Sequence, residues 1–253
     1  MTRPVVLTIA GSDSGGGAGI QADLRTITAL GGFGTSAVTC VTAVVPIPPA
    51  KVTAQIEAVA AGFPVRAVKT GMLFSADIVH ATVRAVEAAG FATLVVDPVM
   101  VAASGARLLL PEAEAAYVEQ LLPRATVITP NLDEAAVLWG KPVSGEDDMR
   151  KAATELAERF GTAVFLKGGH LPGDPVDLLV AEGTVHRWQD ERVEGVLTHG
   201  SGCTLSAALA CRLARGDGLV EACTAARGFL RESFLRPQAL ENGAVLLGVP
   251  GRD

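Results

Sequence analysis

Apolar residues fall along this chain in two alternating rhythms. Short runs rich in Val, Ile, Leu and Thr are separated by longer Ala/Leu/Glu-rich stretches whose apolar positions recur at helical spacing. The short runs predict strands at residues 5–10, 36–45, 65–69, 93–96, 126–129 and 163–167, with edge strands at 177–180 and 184–188. The longer stretches predict helices at 18–30, 52–61, 76–89, 112–121, 132–139, 146–159, 204–215 and 220–235. Strand and helix in alternation are the pattern of βαβ units, so a mainly parallel sheet covered by helices is expected. The two segments around Glu182-Gly183 read as an antiparallel hairpin.

Composition narrows the class. The 253 residues, 49% of them hydrophobic, suffice for a substantial core, and no linker composition divides the chain, so one domain over 1–253 is expected. A net charge of −6 with both signs interspersed leaves no basic stripe for nucleic acid and no cationic amphipathic helix for a membrane surface. The apolar run at 5–10 is shorter than a signal-peptide core and no run approaches a membrane span, so a cytoplasmic protein is expected. Cys40, Cys203, Cys211 and Cys223 show neither C-x-x-C spacing nor neighbouring histidines, which points away from zinc and from a disulfide framework.

Chemistry in open α/β sheets gathers beyond the carboxyl ends of the strands, and here those ends are polar. The first is followed by Gly11-Ser12-Asp13-Ser14-Gly15-Gly16-Gly17-Ala18-Gly19. The run fails as a dinucleotide fingerprint, because Ile20 stands where a small residue is needed. It fails as a Walker A loop, because Gly17-Ala18 stand in place of Lys and Ser/Thr. Asp13 in it reads either as a ligand contact or as a cap for the next helix. Lys69-Thr70-Gly71-Met72 follows the third strand and Asp97-Pro98-Val99-Met100 the fourth, with Asp97 suited to orient a magnesium-bound water or a phosphate. Asn131 and Glu134 stand three apart after the fifth, a spacing that fits a site on one helix face and fits a capping box equally well. Lys167-Gly168-Gly169-His170 follows the sixth.

The segment Thr198-His199-Gly200-Ser201-Gly202-Cys203-Thr204 opens a helix. Unpaired N–H groups and the helix dipole make such a mouth an anion site, and Cys203 in or near the first turn is expected to have a lowered thiol pKa. Glycines that merely end a loop above a buried cysteine are the plainer reading. Together the strand ends and this mouth point to a phosphate-handling crevice.

Six ordered stretches carry a family resemblance: 8–24, 69–73, 95–101, 128–132, 167–171 and 198–206. They resemble the hydroxymethylpyrimidine/phosphomethylpyrimidine kinases of thiamine biosynthesis. The resemblance implies a ribokinase-like three-layer α/β/α sandwich with a mainly parallel central sheet, usually a homodimer, that uses ATP and Mg2+ to phosphorylate a hydroxymethylpyrimidine and then its monophosphate. It makes Cys203 the base, with Gly200, Ser201 and Gly202 as the backbone anion hole. Gly11, Asp13, Ala18, Val44 and Met72 would line the pyrimidine pocket. Asn131, Glu134, Lys167 and Thr198 would serve the ATP phosphates, Asp97 and Glu134 the magnesium, and His199 would steady the loop or the phosphate. Three positions depart from the family pattern. Val44-Val45-Pro46 replace a polar Gln-Asn pair, Ala103-Ser104-Gly105 lacks a lysine, and Leu197 replaces an asparagine. Loss of the polar pair bears on substrate choice, so a pyridoxal kinase of the same fold and a non-catalytic pyrimidine-binding protein stand as alternatives.

Overall fold

The computed structural model describes residues 2–41, 45–100 and 109–251. Val44 and the Ala103-Ser104-Gly105 stretch lie outside the described residues. The chain runs β1 (Val5–Ala10), α1 (Gly19–Ala29), β2 (Phe33–Val38), β3 (Cys40–Val41), β4 (Val45–Pro46), α2 (Pro49–Gly62), β5 (Val65–Thr70), α3 (Ala76–Ala88), β6 (Leu94–Val96) and α4 (Pro111–Ala116). It continues through β7 (Val127–Ile128), α5 (Leu132–Trp139), α6 (Glu146–Phe160), β8 (Ala163–Lys167), β9 (Val176–Ala181), β10 (Thr184–Gln189), α7 (Ser201–Ala214), α8 (Leu219–Leu235), β11 (Gln238–Ala239) and β12 (Val245–Leu246).

Eight strands form one sheet in the order β10-β9-β8-β7-β6-β5-β1-β2. The six from β2 to β8 in that row are parallel, and β9 and β10 add an antiparallel edge. Alternate side chains of the buried strands pack in opposite directions, as the pleat requires. Leu7, Val68, Val96 and Ile128 pack with residues of α2 to α6. Val6, Ala67, Val95 and Val127 pack with residues of α1, α7 and α8 on the other face. The result is a three-layer α/β/α sandwich. The chain leaves β1 toward β2 and returns on the far side of β1 as β5, so the crevice between the loops after β1 and β5 is the topological switch point.

Several expected elements differ. The strand expected at 36–45 ends at Val38 because Thr39 turns away: its N–H donates to Ala10 O and its hydroxyl to Met72 O. A separate antiparallel pair, β3 with β4, follows. The helix expected at 112–121 becomes a π turn at Tyr117–Leu121 and a 3₁₀ turn at Leu122–Arg124. Tyr117, which is fully buried, donates to Gly71 O, and Pro123 has no N–H to continue the ladder. The helix expected from Thr204 begins three residues earlier, at Ser201. A small antiparallel hairpin of β11 and β12, which no alternating run in the sequence indicates, follows α8. The Glu182-Gly183 turn does join β9 to β10, with both residues at positive φ (50° and 74°), the backbone of a tight hairpin turn.

Candidate active site

The mouth of α7 lies over the carboxyl ends of the central strands. Gly200 caps the helix with φ 83° and ψ 0°, and a Cβ there would stand 1.9 Å from Gly17 O. The loop after β1 is thus seated directly on the helix cap. His199 Nε2 lies 3.0 Å from Asp13 Oδ2 and joins the same two loops. Asp13 also accepts from the N–H groups of Gly15 (2.9 Å) and Ala18 (2.9 Å). Its carboxylate therefore organises the glycine loop and does not cap the first turn of α1. Desolvation opposes its ionisation, but His199 and these two amides outweigh it and hold Asp13 below the usual carboxylate range.

Under the first turns of α7 the strand ends contribute a row of side chains on one face of the sheet. Thr8 comes from β1, Lys69 from β5, Asp97 from the end of β6, Thr129 from the end of β7 and Lys167 from β8. Lys167 Nζ is 3.0 Å from Asp97 Oδ1, which also accepts from Thr129 Oγ1 at 3.1 Å, while Ser206 Oγ donates to Asp97 Oδ2 at 3.2 Å. Burial raises the carboxyl pKa, but Lys167 and Lys69 outweigh it and Asp97 stays below its ordinary value. Gly202 leaves room for this cluster, since a Cβ there would lie 3.2 Å from Lys167 Nζ.

Asn131 and Glu134 make the reciprocal capping box of α5: Glu134 N–H donates to the Asn131 side chain (2.9 Å) and Asn131 N–H to the Glu134 carboxylate (2.8 Å). Glu134 is also buried, and desolvation, with Asp97 adding repulsion and Lys167 opposing both, pushes its pKa up to about 7. Asn131, Lys167, Thr198, Ser201 and Gly202 line one end of a cavity of about 220 Å³ whose other walls include Pro175, Val193, Leu205, Leu230 and Phe234. Five expected phosphate-side and anion-hole residues thus meet around one pocket with an apolar wall, the combination expected of a small-ligand site.

The loops after β1, β2 and β5 converge around Gly11. A Cβ on Gly11 would stand 2.7 Å from Cys40 Sγ and 2.9 Å from Met72 Cε, so only glycine permits that approach. Ala18 is the cap residue of α1, beside Gly19, whose N–H is directed at Cys203 Sγ. Met100, by contrast, is core. Cys203 corrects one expectation. Desolvation outweighs the helix mouth and raises its thiol to about 11, with Lys69 the largest opposing influence.

A family model described as phosphomethylpyrimidine kinase matches residues 13–247. This chain belongs to that family. The Rhizobium meliloti hydroxymethylpyrimidine/phosphomethylpyrimidine kinase is 44% identical over 249 residues, 94% of this chain and 93% of that relative. The thiamine biosynthesis bifunctional protein ThiED of Geobacter sulfurreducens is 44% identical over 250 residues, 95% of this chain, which spans about half (51%) of that longer relative. Among solved structures, an ADP complex of Bacillus subtilis pyridoxal kinase is similar at TM-score 0.90 and 36% identity, covering 97% of each chain. The phosphomethylpyrimidine kinase of Clostridium difficile 630 is similar at TM-score 0.80 and 38% identity, covering 91% of this chain and 99% of that one.

In this phosphomethylpyrimidine kinase family member, the sequence reading gave no role to Asp23 or Lys69, although both fell inside its motifs. The signal for Lys69 was present: it occupies an inward position of a buried strand, two residues after Ala67, where an apolar side chain is the rule. A second network was also missed. Arg227 on α8 binds Asp177 (2.7 Å) and Asp190 (2.7 Å), and Asp177 accepts from Gly168 N–H (3.0 Å), next to Lys167.

Proposed function

We propose that this kinase transfers the γ-phosphoryl group of ATP to 4-amino-5-hydroxymethyl-2-methylpyrimidine and then to its monophosphate, with Cys203 as the base. The observation that carries this reading is the position of Cys203 in the first turn of α7, directly after Ser201 and Gly202, which line the same cavity as Lys167. ATP phosphates fit against the N–H groups of Ser201 and Gly202 with Lys167 beside them. The substrate hydroxyl oxygen bonds to the γ-phosphorus, the bond from phosphorus to the β–γ bridging oxygen breaks, and ADP leaves. The Cys203 thiolate takes the hydroxyl proton. In a loose transition state charge spreads over the phosphoryl oxygens, and the α7 mouth supplies fixed donors for it.

Magnesium belongs with the ATP. Among the described residues no three His, Cys, Asp or Glu side chains gather to hold a metal ion by themselves, which suits an ion that keeps water and phosphate oxygens as ligands. The donor set fits it in this form. Glu134, a buried carboxylate that feels both Lys167 and Asp97, would hold the ion through its water shell. Asp97, whose oxygens already accept from Lys167, Thr129 and Ser206, would contribute charge and not a ligand atom. When bound, the ion neutralises charge on the β- and γ-phosphates.

A pyridoxal substrate is the second reading, favoured by the likeness to the Bacillus subtilis pyridoxal kinase and by Val44-Val45-Pro46 in place of a polar pair. The test is to incubate the protein with MgATP and, separately, the pyrimidine alcohol, its monophosphate and pyridoxal, and to identify products by mass. Pyrimidine diphosphate supports the first reading, and pyridoxal phosphate alone replaces it with the second. Cys203→Ala is expected to abolish turnover with the fold intact, and retained turnover removes the thiol from the mechanism.

A further inference from the structure

Tyr117 is fully buried among Leu, Ile and Val of the core, where a phenylalanine would fill the same volume with no hydroxyl to satisfy. The hydroxyl has a use. At the start of the π turn it donates to Gly71 O at 3.1 Å, a bond between residues 46 apart in the chain. Thr39, also 0% exposed, does the same from the exit of β2, its hydroxyl donating to Met72 O at 2.7 Å. The two accepting carbonyls belong to the peptide units on either side of the Met72 Cα. The neighbouring backbone is pinned to β1: Gly71 N–H donates to Ile9 O at 2.9 Å and Thr39 N–H to Ala10 O at 3.0 Å. A Cβ on Gly71 would lie 3.0 Å from Ala10 Cβ and 3.0 Å from the Lys69 ammonium, which Asp23 holds at 2.9 Å. The loop after β5 therefore leaves the sheet on a closely fitted seat. Interruptions of a helix by a π turn recur at functional sites, and this one begins at the residue whose hydroxyl reaches that loop.

We propose that Tyr117 and Thr39 are positioning residues for the heterocycle, their hydroxyls fixing the backbone on both sides of Met72 so that its side chain holds one wall of the pocket beside Gly11. The proposal rests on the reading of Met72 as a pocket residue. Met72 is half-buried between Gly71 and Leu73, which are buried. Its Cε stands 2.9 Å from the place a Cβ on Gly11 would take, so the side chain lies along the glycine. Methionine has three rotatable bonds and adapts to many shapes. As a wall against a flat ring it is only as well placed as the backbone beneath it. A wall of this kind touches the substrate equally before and during the reaction, so its displacement weakens binding and leaves the chemical step alone.

Steady-state kinetics on the heterocycle that the product assay identifies test this. Tyr117→Phe and Thr39→Val are each expected to raise KM for the heterocycle about fivefold, the worth of one hydrogen bond, with kcat and the KM for ATP close to wild type. Thr39→Ser keeps the hydroxyl and is expected to return KM to the wild-type value. In a Met72→Ala background the KM penalty of Tyr117→Phe is expected to disappear, because residues that act through one shared partner are not additive. A general loosening of the fold would persist in that background. Thr39→Val with its Thr39→Ser rescue carries the test if Tyr117→Phe does not fold. An unchanged KM in Thr39→Val, no rescue by Thr39→Ser, or an undiminished Tyr117→Phe penalty beside Met72→Ala overturns the proposal. These failures are distinct from failure of the pocket reading, in which Met72→Ala itself keeps the wild-type KM and the proposal falls with it. A wild-type protein that phosphorylates neither heterocycle ends both.

Discussion

Replacing Gly200 with alanine tests whether catalysis depends on the contact between the glycine loop and the cap of α7. The backbone at Gly200 has φ 83°, and an alanine there costs about 1–2 kcal/mol in left-handed strain. Its Cβ would also lie 1.9 Å from Gly17 O and 2.8 Å from Gly17 C, whereas a carbon and a carbonyl oxygen come to rest at about 3.3 Å. The two loops must then part by more than about 1 Å, and a displacement of that size at a reacting centre costs on the order of 100-fold in rate. Gly243 supplies the control: its φ is 84°, it turns the chain between β11 and β12, and a Cβ there would meet nothing within 4 Å. Urea unfolding should show Gly243→Ala losing the strain alone, and Gly200→Ala losing about 1–3 kcal/mol more from overpacking. Steady-state kinetics should show kcat/KM falling about 100-fold in Gly200→Ala and unchanged in Gly243→Ala. If folded Gly200→Ala turns over like Gly243→Ala, the seating of one loop on the other has no part in the chemistry.

Three further outcomes follow from the same geometry. With the Cys203 thiol at about 11, kcat/KM should rise about tenfold per pH unit between pH 7 and 9 as the thiolate fraction grows, and a flat profile would contradict a thiolate base. Lys167→Met leaves the nearly inaccessible Asp97 carboxylate without its cation, so urea unfolding should show a loss of about 3–5 kcal/mol along with lost turnover. A loss below about 1 kcal/mol, the size of an exposed pair, would mean that the pair is not what keeps Asp97 ionised. Arg227→Met cuts the ties to Asp177 and Asp190 that brace the Gly168 backbone, and should raise KM for ATP about tenfold, the equivalent of one charge-assisted hydrogen bond, with little change in kcat. A fall in kcat at constant KM would place Arg227 elsewhere in the mechanism.

Where local pattern and tertiary packing agree, the sequence was sufficient. The bounds of β1, α5 and β8 coincide with those expected because each is a strongly periodic run ended by Gly, Pro or Asn. Low helix propensity misled at α7: Ser201, Gly202 and Cys203 are weak helix formers, and nothing local shows that they start the helix on top of the glycine loop. Asn131 and Glu134 illustrate how one spacing serves two ends, since the capping box is satisfied and the buried carboxylate still faces Lys167. The Lys69–Asp23 pair joins residues 46 apart, and no periodicity encodes such a partner. The elevated Cys203 thiol was equally hidden, because the helix mouth is legible in sequence and the depth of burial is not.

From Thr204 to Cys211 every residue of α7 is buried, so the helix that carries the anion mouth is among the least deformable parts of the molecule. Among the described residues, the groups expected to read the heterocycle, Gly11, Asp13 and Met72, sit instead on connections beyond β1 and β5. Changes of vitamin precursor can therefore accumulate as loop substitutions while the reaction itself is inherited untouched. Under the proposed assignment the fold separates what is phosphorylated from how, and loop substitution is the expected route from one flat nitrogen heterocycle to another.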